Sequence, residues 1–155
     1  MKNFFETSVH QALFERLQHL KADSKPKWGI LTPAQMLKHL RLENDLALGN
    51  YTGKDYSNIA REWTFKQVTK GNMPLPNFLS KLRLIPAIPE LYVIKSKVKV
   101  EDFDTEKSRL MAQFQALVHT KNFANLHPRI RRMNATDWGF FYTWHTDYHL
   151  RQFDI

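Results

Sequence analysis

The chain contains no cysteine. Neither a disulfide framework nor a thiolate metal site is open to it, so any transition-metal site must be built from imidazole and carboxylate. Long apolar runs are also missing. No stretch approaches the roughly 20 consecutive apolar residues that a membrane-spanning helix needs, and no membrane partner is expected. Residues 1–14 break their apolar positions with Glu6, Thr7, Ser8 and His10. This is not the uninterrupted core of a secretion signal, so the N-terminus is expected to be retained in a soluble, cytoplasmic protein.

Acidic residues are scarce, 15 against 23 lysines and arginines, which gives a formal charge of +8. The imbalance is local. Lys66, Lys70, Lys81, Arg83, Lys95, Lys97 and Lys99 face the single acid Glu90 between Trp63 and Lys99. Such a charge suits a polyanion, an anionic substrate or solubility alone. With 155 residues, 43% of them hydrophobic and 25% charged, the chain has the balance of one globular domain with a buried core, expected to span 1–155. It shows no internal repeat and no compositional break.

Val9, Leu13, Leu17 and Leu20 fall at helical spacing within a first helix expected over Phe4 to Lys21, before the turn residues Asp23, Ser24 and Pro26. A second helix announces itself at Thr32-Pro33-Ala34-Gln35, with Thr32 as N-cap, proline at the first helical position and Gln35 closing a capping box. It should run to about Leu48, before Gly49-Asn50. Pro74, Pro76, Pro86 and Pro89 restrict the segment 51–100 to short elements, one of them a helix over Tyr56 to Thr69. Val93 to Val100 alternates lysine with Ile94, Val98 and Val100, the pattern of an extended strand or connector. Asp102 or Asp104 caps the next long helix, whose stripe is Leu110, Met111, Phe114, Leu117 and Val118 and which ends near Thr120. After a basic connector at His127-Pro128, Asn134 caps a last helix reaching Arg151 or Gln152. Four long amphipathic helices without interleaved strands predict an all-α fold, a four-helix bundle with a long crossover between the second and third helices.

Histidine is the chemistry-bearing residue left. His145 and His149 stand four apart, which on a helix puts both imidazoles on one face, and that face continues through Tyr142, Phe141 and Trp138. Two imidazoles one turn apart can share one metal ion, although inward histidines commonly serve only as hydrogen-bonded core. Thr146 stands where a zinc protease has its general-base glutamate, so that chemistry is disfavoured. A third ligand must come from another helix. His39, on a stripe with Met36, Glu43 and Leu46, is the best placed; His10 and His19 lie on opposite faces of their helix, and His119 lies at a helix end. Glu43, one turn beyond His39, is a candidate catalytic residue, as outer partner of that ring or as proton acceptor. Tyr142, Tyr148 and Gln152 flank the same face without an assigned role.

Gln35-Met36-Leu37-Lys38-His39, the His127-Pro128 connector, Asp137-Trp138-Gly139 and the run from His145 to Phe153 together resemble a DinB-like family of uncharacterised proteins, most specifically in the C-terminal helix. The resemblance spans nearly the whole chain. It implies a four-helix bundle with a three-histidine metal site, here His39, His145 and His149, usually holding zinc or nickel. It also implies relatives that transfer or isomerise small-molecule substrates with low-molecular-weight thiols, and bundles that pair as homodimers. Three imidazoles leave coordination positions open, the arrangement of catalytic zinc. A metal-dependent enzyme of the thiol-transferase type is therefore the leading expectation. The alternatives are a basic module for nucleic acid or another polyanion, using Lys66 to Lys99 and Arg129 to Arg132, and a metal-binding bundle without activity. No nucleic-acid motif accompanies the charge.

Overall fold

In a computed structural model of the chain, residues 2–74, 88–94, 98–124 and 126–155 are described. Five α-helices lie among them: α1 (Thr7–His19), α2 (Pro33–Ala47), α3 (Ile59–Thr69), α4 (Phe103–His119) and α5 (Ala135–Gln152). A single 3-10 turn covers Pro89–Leu91, and two-residue strands β1 (Leu126–His127) and β2 (Arg131–Arg132) pair antiparallel ahead of α5. The fold is mostly helical, with one small ladder in what the sequence presents as a plain connector.

Most helix starts follow from their caps. The Thr32 hydroxyl accepts from the Gln35 amide, and the Gln35 side chain returns to the Thr32 amide, the reciprocal box that satisfies two orphan donors. Asn134 and Asp137 build the same box at α5, and Asp102 caps α4 by accepting from the Thr105 amide. Asn58 caps α3 through the Arg61 amide, so this helix starts three residues later than the expected Tyr56. The first helix is shorter at both ends than Phe4 to Lys21. Phe4 is spent on a tertiary contact, its amide donating to the Gly139 carbonyl at 3.1 Å, and Leu20 has already left helical geometry. The extended segment expected over Val93 to Val100 is not a strand where it is described: 93–94 form a turn and 98–100 are irregular. Lys81, Arg83, Lys95 and Lys97 lie outside the described residues.

α2 packs along α4, α1 and α3 both pack on α5, and α2 also meets α5 and the 3-10 turn. The apolar stripes converge in one core of Phe4, Leu17, Met36, Leu37, Leu110, Phe114, Trp138, Tyr142 and Leu150. Each such side chain taken fully from water contributes on the order of 1.5–3 kcal/mol. Trp138, fully buried, places its indole N–H on the Ala124 carbonyl at 2.8 Å. Gly139 lets the N-terminal strap reach α5: a Cβ there would lie 2.0 Å from Asn3 Oδ1, while Asn3 Nδ2 donates to the Thr136 carbonyl. No helix among the described residues is long and apolar enough to cross a membrane.

One ionic contact in this interior carries no motif. Arg41 of α2 donates to Glu106 of α4, whose side chain is wholly buried and also accepts from the Glu101 amide. Removing the carboxylate strands a largely buried guanidinium at the interface of the α2–α4 pair. Glu106→Ala is expected to lower unfolding free energy by about 3 kcal/mol, read as a drop in the urea midpoint at unchanged slope; a loss below about 1 kcal/mol would mean that solvent reaches the pair and screens it.

Candidate metal centre

Two helices deliver the three histidines. His39 sits in the second turn of α2, and the stripe Met36, His39, Leu40, Glu43 faces inward. His145 and His149 occupy successive turns of α5 on its buried face. All three are at least nine-tenths buried. His145 Nε2 lies 3.2 Å from His39 Nε2 and 3.1 Å from His149 Nε2, so the three rings converge on one point. Nitrogens held about 2.0–2.1 Å from one ion sit roughly 2.8–3.4 Å apart for bond angles between octahedral and tetrahedral, and both distances fall in that window.

The outer nitrogens decide what the inner ones can do. His39 Nδ1 donates to the Leu91 carbonyl at 3.0 Å, and His149 Nδ1 to Gln152 Oε1 at 2.8 Å. A carbonyl oxygen can only accept, so in each uncharged ring the proton sits on Nδ1 and the lone pair on Nε2 faces the shared point. Burial is the main force holding His145 well below the usual imidazole pKa, reinforced by His149, His39 and His127. Burial, then His39, pushes His149 down to about 3 against the opposing hydrogen bond from Gln152. These two rings are therefore neutral at physiological pH. Both short contacts run through His145 Nε2, whose tautomer no hydrogen bond among the described residues fixes: a proton there makes a hydrogen bond to a neighbouring ring, and with that proton on Nδ1 three Nε2 lone pairs converge as the ligands of a cation would. The donor set, nitrogen only and borderline in softness, fits zinc or nickel.

Glu43 is where the sequence places it, buried and on the inward stripe, but it is not the partner of His39, whose outer nitrogen is taken by Leu91. It faces instead a histidine that the sequence reading passes over. His127 Nδ1 accepts from the Arg129 amide and the Ile130 amide, both at 3.1 Å, so its ring proton lies on Nε2, which points at Glu43 Oε2 at 3.5 Å. The other histidines stay apart. His10 donates to the Phe4 carbonyl, and His19 and His119 are exposed.

A cavity of about 650 Å³ opens over the three rings. Phe65, Leu91, Phe141, Trp144 and Tyr148 give it apolar walls, and Glu43, His127 and Arg129 add a polar group of side chains. Gln152 lines it too, which makes it a support for His149 as well as a wall. Gly29 packs against that amide with φ of +91°, and a Cβ there would lie 2.8 Å from Gln152 Nε2. Tyr142 does not line the cavity; it stacks on Trp138 within the core.

The basic segment is partly neutralised where it is described. Lys66 and Lys70 both reach Asp137, at 3.2 and 3.3 Å, and Lys99 meets Glu101. No family model matches this chain, and neither the curated proteins nor the solved structures contain a significant match to it.

The buried neutral rings have a consequence for acid stability. An unfolded chain takes up protons on these histidines near pH 6.5, whereas the folded His149 resists until about pH 3. Their contribution to stability is therefore complete above pH 6.5 and is lost as pH falls toward 3. Chelator-treated protein should lose unfolding free energy across that window, and His149→Gln should flatten the fall by roughly 1.4 kcal/mol per pH unit, one proton's worth. Parallel curves for the two proteins would show that His149 titrates normally.

Proposed function

We propose that the protein is a divalent-metal-dependent enzyme of the DinB-like type, a helical bundle whose ion is held by His39, His145 and His149, and that it acts on a small molecule together with a low-molecular-weight thiol. The convergence of three imidazole Nε2 atoms at one buried point is the observation that carries this reading. Zinc or nickel is the ion its donors suit. When bound, such an ion supplies Lewis acidity and lowers the pKa of water or of a thiol that reaches it.

The chain's own residues supply the rest. Leu91 and Gln152 fix two of the ring tautomers, and conserving that orientation is what outer hydrogen bonds to ligand imidazoles do. Three protein ligands leave positions open toward the cavity, unlike the closed four-ligand set of a structural site. Phe141, Trp144 and Tyr148 can enclose an apolar substrate and keep bulk water from it. Glu43 and His127 together offer a proton acceptor and a donor within the same cavity. The missing cysteine is consistent with a nucleophile that arrives as a free thiol.

That absence also makes the reading testable. In the cobalt-substituted protein, any thiolate-to-cobalt charge-transfer band must come from added thiol, because the chain has no thiol of its own. Adding dithiothreitol or glutathione should produce that band in the unmodified protein. His39→Ala should bind cobalt at least tenfold more weakly and show no band, while keeping its far-ultraviolet circular dichroism. Full cobalt binding by His39→Ala would remove the site; cobalt binding without a thiol band would leave a metal centre but remove the thiol chemistry.

A further inference from the structure

The cavity above the three imidazoles holds a cation, Arg129, that forms no ion pair among the described residues. Arg129 follows β1 in the tight connection to β2, where its amide is tied to His127 and its half-buried side chain lines the cavity. Its Nε is shielded from solvent and has no hydrogen-bond partner among the described residues, and no described carboxylate forms an ion pair with the guanidinium. Glu43, the acid that lines the cavity among the described residues, turns one oxygen toward His127. Burial, then the charge of Arg61, weighs against the charged form of Arg129, with Glu43 opposing. A guanidinium stays protonated even so, and a partly desolvated cation with no ion-pair partner among the described residues is a cost that a bound anion relieves.

We propose that Arg129 is an anion-anchoring residue of this cavity, and that the ligand is a small organic oxyanion whose carboxylate or phosphate docks on the guanidinium while its apolar body lies along Phe65, Phe141 and Trp144. A guanidinium presents paired N–H donors that match either oxyanion, and this is its commonest recognition role. The cavity is large enough for a molecule of ordinary metabolite or drug size and mostly apolar between its polar groups. The ligand is thus held at one end by charge and along its length by aromatic contact. The proposed metal-centre function enters only in placing the reacting end of the ligand at the histidines; the anion anchor stands without it.

The test is calorimetric titration of four probes in two pairs: 4-phenylbutyrate with its neutral amide, and phenyl phosphate with phenol as its neutral counterpart. It is run on the protein as purified and again after chelator treatment, so that a direct bond between anion and metal is separated from Arg129. In both preparations at least one anion should bind about tenfold or more tighter than its neutral counterpart, the advantage of a charge-assisted hydrogen-bonded pair. Which anion does so tells whether the site prefers carboxylate or phosphate. Arg129→Gln should abolish the preference and Arg129→Lys should keep part of it. The proposal is overturned if neither anion outbinds its neutral counterpart in the unmodified protein, a comparison that holds even where a variant fails to fold. It is equally overturned if Arg129→Gln retains the preference. A preference that vanishes with the chelator assigns the anion to the metal instead of to Arg129. A preference that survives in protein devoid of metal keeps the anchor even if the metal reading fails.

Discussion

Three buried imidazoles with their Nε2 atoms turned toward one point are an unusual arrangement for a protein interior, and this one builds it from two helices with evident support. α2 brings His39, α5 brings His145 and His149, and backbone and amide oxygens outside the triangle hold two of the protons away from its centre. A histidine pair serving only as core would have a proton between its rings. Here the outer hydrogen bonds leave Nε2 of His39 and of His149 as acceptors, so of the three only His145 can supply such a proton, and burial keeps His145 and His149 from acquiring a second. At the proposed centre a divalent cation would take one lone pair from each ring, and the surrounding fold is intelligible as the scaffold that keeps the three nitrogens in place.

Much of the local architecture is organised around that triangle. The 3-10 turn Pro89–Leu91 packs on α2 and presents the carbonyl that orients His39. The segment bearing Gly29 crosses the end of α5, where the Lys27 amide donates to the Gln152 carbonyl and Gly29 leaves room for the Gln152 amide. The small β ladder folds His127 inward until it meets Glu43. Each of these elements is short and would be unremarkable alone. Their common feature is a contact with one of the three histidine rings or with the cavity in front of them.

What the sequence reveals and conceals follows from the range of each interaction. Capping at Thr32, Asp102 and Asn134 is local chemistry over three residues, so these helix starts are legible, whereas the Asn58 cap goes unread and its helix is expected from Tyr56. The α5 pair is legible because i, i+4 spacing is a property of the helix, and His39 because its stripe is apolar on both sides. The support is not. Leu91 acts through a backbone carbonyl 52 residues from His39, and a carbonyl carries no residue signature. His127 looks like a connector residue beside Pro128, and only the hairpin turn, with Arg131 at φ +73°, directs it to Glu43. The assignment of Glu43 to His39 fails for the same reason: one helical turn of separation puts two side chains on a common face without joining them. Phe4 reads as helix by its neighbours but is drawn into the core by α5. The Arg41–Glu106 contact links two helices far apart in the chain and leaves no pattern in either.

The central claim concerns the first coordination sphere, and X-ray absorption at the metal edge of the zinc- or nickel-loaded protein addresses it most directly. Outer-sphere scattering from three imidazoles, with the remaining ligands light atoms and no sulfur before thiol is added, is the predicted spectrum. A fit requiring one imidazole or none, in protein carrying a full equivalent of metal, would contradict a centre built by His39, His145 and His149.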